Sequence, residues 1–407
     1  MALAAALITV VPSNVPGVAA AGGVPKPTLE GRAVLPVETY APGPPAGAFF
    51  APNGPTTING ITFPLVSQPV QGLSAIVDGG HPGEYLAMPD NGFGSKASSR
   101  DFLIRAYDIE PDFKTARGGT GAVGVGDFIQ FRDPSGLIGF PIVREGTADR
   151  WLTGGDIDPE SLQRAMNGDL WVGEEFGPWL LHFDARGALV ERPFELPGGL
   201  MSPNNPHLDG RPFTQPNSRG IEAMAMSPDG THLFAALEGA TVADPDPSRR
   251  YIFEFSLADK AFTGRVWQYH TEQAANMVAD MWALDEDRVV VIERDGGLGV
   301  NALFRRVYAL DFRRVGADGF LEKHLAVDLH AIPDPDLVSL PAIHPGDVGL
   351  GDPFAVTCES VEAIHVLDGE RLLIGCDNNF PNKGRNPDLA DDNELIVVKV
   401  PGLKSLA

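Results

Sequence analysis

A hairpin repeated five times limits what this chain can fold into more than any other feature. The copies run Gly72–Gly92, Asp158–Gly177, Gly220–Gly239, Val278–Gly297 and Val361–Phe380. In each, a short apolar strand opens on a polar or acidic residue. A turn with Asp-Gly, Asn-Gly or an acidic pair follows, and a second apolar strand ends on a carboxylate. Asp-Gly between two apolar runs signals a hairpin, because the turn needs backbone angles that these residues tolerate. Third strands are predicted at 102–109, 179–184, 251–257, 306–312 and 394–400, and fourth strands at 127–131, 189–196, 265–270 and 321–329. Repeats of this length indicate radial repetition of small sheets, which leaves few open sheet edges. The predicted fold is therefore an all-β β-propeller of five four-stranded blades. Six is the alternative, because the inserts at 198–218 and 332–354 have room for a degenerate unit. The last copy lacks a fourth strand of its own, and an N-terminal segment, 33–40 or 61–68, is expected to supply it and close the ring.

The predicted organisation is a signal peptide over residues 1–21, a Pro/Gly/Ala-rich lead-in over 22–56 and a single domain over 57–407. The leader reading rests on an apolar stretch followed by small residues up to Ala21, although a basic start is missing. It implies a secreted or periplasmic protein. No later run is apolar enough to span a membrane. Cys358 and Cys376 are the two cysteines, too few for a cysteine zinc cluster, and in an oxidising compartment they can pair or stay as buried thiols. With 31 Lys and Arg against 54 Asp and Glu, the net charge is −23. A chain this acidic is a poor partner for nucleic acid, which demands a basic footprint. The segment 118–126 is Gly-rich but has no βαβ setting, so it reads as a loop.

The carboxylates of the repeat carry the chemistry. Hairpin partners are antiparallel, so the start of the first strand and the end of the second lie at one end of each unit. The pairs are Ser74 with Asp90, Glu160 with Glu174 or Glu175, Glu222 with Glu238, Asp280 with Glu293, and Glu362 with Asp377. Strand-end acids commonly just cap turns, but five copies in the same place point to a shared ring. Asn91, Asn378 and Asn379 add neutral oxygens beside two of the pairs. Crowded carboxylates raise one another's pKa and need cations or protons to compensate. Their oxygens suit Ca²⁺, with Mg²⁺ as a second candidate. Arg219, Arg385, Lys383 and Arg100 flank the acidic motifs and are the candidate groups for a small anionic substrate. His344 lies in the last insert.

The ordered motifs Gly72-Leu-Ser74, Pro89-Asp-Asn-Gly92, Asp158-Pro-Glu-Ser161, Gly220-Ile-Glu222, Ser227-Pro-Asp-Gly230 and Asp377-Asn-Asn-Phe380 resemble the phytase-like domain family, described as carrying the esterase-like activity of phytase. The resemblance spans roughly residues 65–401. It implies an exported hydrolase with Asp and Glu active positions, here Asp90, Glu160, Glu222, Glu238, Glu362 and Asp377. Asp280 and Glu293 of the fourth copy depart from the pattern. The expected function is a Ca²⁺-dependent hydrolase of phosphoric esters acting as a monomer, with Glu222, Glu238, Glu362 and Asp377 catalytic. A metal-dependent lactonase or carboxylic esterase, and a non-catalytic Ca²⁺-stabilised binding propeller, are the alternatives.

Overall fold

The computed structural model describes residues 26–406, and the leader expected over 1–21 lies outside them. Strands and turns make up the described chain, apart from two single-turn 3-10 helices at Gly299–Asn301 and Leu403–Ser405. The five predicted hairpins are all present. Their first strands are Leu73–Asp78, Pro159–Arg164, Ile221–Met226, Met277–Ala283 and Ser360–Val366. Their second strands are Tyr85–Pro89, Leu170–Glu174, His232–Leu237, Arg288–Arg294 and Arg371–Asp377. Each hairpin is extended by a third antiparallel strand, and the first four also by a fourth from the following chain. The fourth strand of the second sheet is only Phe194–Glu195, much shorter than its 189–196 expectation.

The fifth sheet takes its outer strand from the N-terminal side. Thr28–Leu35 pairs antiparallel with Asn393–Lys399, from Thr28 opposite Lys399 to Leu35 opposite Asn393. This strand lies within the segment expected to be a lead-in, and it is neither 61–68 nor the whole of 33–40. Ile61–Phe63 instead pairs with Thr56–Ile58 in a small two-stranded sheet. A parallel bridge from Val34 to Ala122 then joins the fifth sheet to the outer strand of the first, Ala122–Gln130. That strand includes part of the Gly-rich 118–126 segment expected to be a loop. Its edge position, exposed at Ala122, Gly124 and Gly126, demands little side-chain packing.

The first strands stand side by side in a cycle, each next to the following one and the fifth back against the first. They are buried almost throughout, because neighbouring sheets cover both faces. Between the fourth and fifth sheets, for example, Val290, Ile292 and Val307 pack with Ile364, Leu372 and Ile374. Each such side chain contributes roughly 1.5–3 kcal/mol by leaving water. This packing fixes the angular position of each sheet, and so where the strand ends point.

One irregularity recurs in every hairpin. The register slips near the start of the first strand, leaving Ser74, Glu160, Glu222, Ala279 with Asp280, and Glu362 without an opposite residue. A β-bulge of this kind bends the strand and re-aims its side chain.

Candidate functional site

Three of the bulged residues and the ends of all five second strands converge on one cavity of about 260 Å³, while Ser74, Ala279 and Asp280 lie outside its lining. The second strands deliver Asp90, Glu175, Glu238, Arg294 and Asp377 from equivalent places. Glu175, Glu238 and Asp90 donate their N–H to the carbonyls of Asp158, Gly220 and Gly72, while Arg294 sits opposite Met277 and Asp377 opposite Ser360. The bulges deliver Glu160, Glu222 and Glu362, and Asp158 joins them from the start of the second sheet. Among the described residues, neither histidine nor cysteine lines the cavity.

The cations are unevenly placed. Arg294 is buried and reaches Glu362, Glu238 at 3.3 Å and Glu222 at 3.8 Å. Arg219 lies at the rim, 37 % exposed, and binds Glu238 at 2.5 Å. Asp90, Asp158, Glu160 and Glu175 have no salt bridge among the described residues. Burial first, and neighbouring carboxylates second, hold Asp90, Glu160, Glu175, Glu222 and Asp377 well above the ordinary carboxyl range. Burial pushes Asp158 up to about 6 despite its bonds to Asn91 and Glu160. Glu238 is raised less, because Arg219 and Arg294 oppose its burial. The neighbouring Glu362 carboxyl raises Asp377 further, while the Asn379 N–H that it accepts acts the other way.

Several residues expected at the site serve elsewhere. Glu174 is adjacent to Glu175 on the chain and faces the opposite way. Its carboxylate accepts from the N–H groups of Phe176 at 2.9 Å, Gly177 at 2.6 Å and Trp179 at 3.0 Å, closing the turn after the strand. Glu293 differs from Arg294 in the same sense, accepting from Tyr269 Oη, Asn276 Nδ2 and Lys323 Nζ. Asp280 accepts from the backbone N–H of Met281 and Ile364, pinning two first strands together outside the cavity lining. Asn378 lies behind the wall, where it donates to Gln71 and accepts from the Gly72 N–H. Asn91 and Asn379 do line the cavity.

Of the expected substrate-binding cations, Arg219 alone lines the acidic cavity. Arg385 is buried in an ion pair with Glu394 at 2.5 Å, which Arg32 also engages at 2.5 Å. Arg100 stacks on Phe49, 5.0 Å from the ring centre, beside a different pocket. Lys383 is half-buried and not part of the lining, and His344 bonds Asp392 at 3.0 Å. Arg385 and His344 line a second pocket and Arg100 a third, so nearness to an acidic motif in sequence does not bring Arg385 or Arg100 into the acidic cavity.

Arg294, Asp158 and Glu359 are the charged lining residues that motif reading missed. Arg294 occupies, in the fourth sheet, the position that is acidic in the other four. Asp158 stands two residues before Glu160, where other copies carry Gly72 or Gly220. Aligning the copies on the register, rather than on the nearest acid, would have exposed Arg294 and Asp158. Cys358 and Cys376 are disulfide-bonded. The bond ties the segment carrying Glu359 and Ser360 to the strand that ends in Asp377, all three in the lining.

Residues 68–380 match the phytase-like family, described as carrying the esterase-like activity of phytase. The chain belongs to that family. A curated relative from Arthroderma benhamiae, named "Uncharacterized secreted protein", is 21% identical over 139 residues, 30% of this chain and 27% of that protein. The match thus spans about a quarter of the relative's length. The chain is also similar to the periplasmic gluconolactonase of Pseudomonas aeruginosa, at 14% identity and TM-score 0.35 over 92% of this chain and 100% of that one. Its similarity to the PQQ-bound aldose sugar dehydrogenase of Streptomyces coelicolor is 11% identity and TM-score 0.34, over 92% and 99%.

Proposed function

We propose that this phytase-like protein is an exported, Ca²⁺-dependent hydrolase of phosphoric esters, built as five four-stranded blades closed by Thr28–Leu35. The observation that carries the reading is the division of the cavity. Carboxylates without a cation face the buried guanidinium of Arg294 across one small space. An all-oxygen donor set of this kind fits a hard cation such as Ca²⁺, with Mg²⁺ as a second candidate. The buried, raised carboxyls of Glu160 and Glu222 give the fit its driving force, since a cation relieves their mutual repulsion.

Asp90, Asp158, Glu160, Glu175 and Glu222 would hold the metal. Bound there, Ca²⁺ supplies the positive charge that draws an anionic ester to an acidic protein, polarises a phosphoryl oxygen and acidifies a water. Arg294, fixed by Glu238 and Glu362, neutralises non-bridging phosphoryl oxygens from the other side. Arg219, half-exposed at the rim, recognises the incoming anion. Asp377, raised mainly by burial, would give its proton to the leaving alkoxide as the ester P–O bond breaks, while the attacking water forms the new P–O bond and yields its proton to a cavity carboxylate. Export is supported by the disulfide and by the name of the matched secreted relative. No helix of the described residues is long and apolar enough to cross a membrane.

The family's description as esterase-like supports a second reading, a metal-dependent carboxylic esterase or lactonase working through the same cavity. Chelator-treated protein assayed side by side on aryl phosphates, aryl carboxylic esters and lactones, before and after Ca²⁺ addition, separates the two. Ca²⁺-restored phosphate release is the expected result. Turnover of carboxylic esters or lactones alone favours the second reading, and no turnover of any substrate refutes both.

A further inference from the structure

The acidic side of the cavity holds two groups of carboxylates, not one. Asp90, Asp158 and Glu160 bring one oxygen each within 4.8 Å of one another, and so do Glu160, Glu175 and Glu222. A Ca²⁺ ion with oxygens at 2.3–2.6 Å places opposite ligands about 4.6–5.2 Å apart, so each group is the size of one ion's shell. Glu160 belongs to both.

Asp90, Asp158 and Glu175 each accept one backbone N–H, from Gly92 at 2.8 Å, Asn91 at 3.3 Å and Gly220 at 2.7 Å, whereas Glu160 and Glu222 accept none among the described residues. The Glu222 side chain is 4 % exposed and accepts no hydrogen bond among the described residues. Its nearest cation, Arg294 at 3.8 Å, is already shared with Glu238 and Glu362. Glu160 is 9 % exposed, and its one hydrogen-bond partner is another carboxyl, that of Asp158. A buried carboxylate without a donor costs several kcal/mol. The recurrent bulges aim both side chains at the cavity instead of relaxing them toward protein donors. Ionised to bind metal, five carboxylates in such a space would carry five negative charges. One divalent ion would leave three of them uncompensated, whereas two would leave one.

We propose that the cavity binds two divalent cations side by side, one on Asp90, Asp158 and Glu160, the other on Glu160, Glu175 and Glu222, with Glu160 as the shared carboxylate. The proposal rests on the metal-dependent reading above and adds to it the number of ions and the role of each ligand.

The test is calorimetric titration of the chelator-treated full chain with Ca²⁺ alone, independent of activity. The wild type is expected to take up two ions per chain. Asp158→Asn and Glu175→Gln each touch one group and are expected to leave one ion bound, while Glu160→Gln weakens both ions at least tenfold. Asp90→Asn repeats the Asp158 test with a second side chain. A stoichiometry of one or zero in the wild type, or a Glu160→Gln variant that loses one ion and keeps the other at full affinity, overturns the proposal. Two ions bound without turnover of any ester would leave the proposal standing and refute the hydrolase reading. One ion bound with Ca²⁺-dependent phosphate release would do the reverse.

Discussion

Asp158 offers the sharpest test of how the acidic cluster is balanced, because its carboxyl is held at about 6 against an ordinary 3.8. A carboxyl raised on folding stabilises the protein while neutral, below its unfolded pKa, and that stability is lost as pH rises through the folded value. A shift of roughly two units at 1.36 kcal/mol each makes the ionised group cost about 3 kcal/mol. About half of this is present at pH 5 and nearly all of it at pH 8. Asp158→Asn removes the charge and keeps an oxygen to accept from the Asn91 N–H, now 3.3 Å away. Without divalent cations the variant is therefore expected to be more stable than the wild type, by about 3 kcal/mol at pH 8 and by roughly half of that at pH 5. For a chain of 407 residues that is roughly 3–4 °C in melting temperature at pH 8. Saturating Ca²⁺ reverses the order, because the wild type gains more from the ion it binds. Denaturant unfolding of both proteins at the two pH values, with chelator and with Ca²⁺, reads the effect. A variant less stable than the wild type at pH 8 in chelator, or a difference indifferent to pH and Ca²⁺, refutes the reasoning.

Other perturbations separate the site from its scaffold. Arg294→Leu leaves Glu238 and Glu362 without their buried partner, a loss of about 3–5 kcal/mol in chelator. Chemical denaturation should show Ca²⁺ recovering part of it while kcat stays depressed. Glu293→Gln disturbs the bonds to Tyr269, Asn276 and Lys323. It should lower stability by about 1–3 kcal/mol with Ca²⁺ stoichiometry and kcat/KM intact, because this side chain faces away from the cavity. Replacing both cysteines by Ser removes a bond across 18 residues, worth about 3 kcal/mol in chain entropy. A melting curve and a KM measurement should both respond, since that bond anchors Ser360 to the strand of Asp377.

The repeated hairpins were readable because turn chemistry and apolar runs are local properties. Their convergence followed from antiparallel pairing alone, and it brought Asp90, Glu160, Glu175, Glu222, Glu238, Glu362 and Asp377 into one cavity. What stayed hidden depends on register. Neighbouring residues on a strand face opposite ways, so Glu174 beside Glu175 and Glu293 beside Arg294 cannot be told apart without knowing which carbonyl each strand end opposes. The bulge that turns Glu160 and Glu222 inward leaves no mark in composition. Arg385 shows the other limit. It follows Asp377 by eight residues, yet it lines a second pocket and spends its charge on Glu394. The closing strand was legible only as a need, since Thr28–Leu35 gains its place from pairing with the far end of the chain.

The most direct measurement is a crystal structure of the full chain grown with Mn²⁺ as an anomalously scattering stand-in for Ca²⁺. Strong anomalous peaks between Asp90, Asp158, Glu160, Glu175 and Glu222, removed by chelator and displaced by Ca²⁺, are the predicted result. A cavity without anomalous density at millimolar Mn²⁺, with those carboxyls bonded to one another or to water alone, would contradict the account.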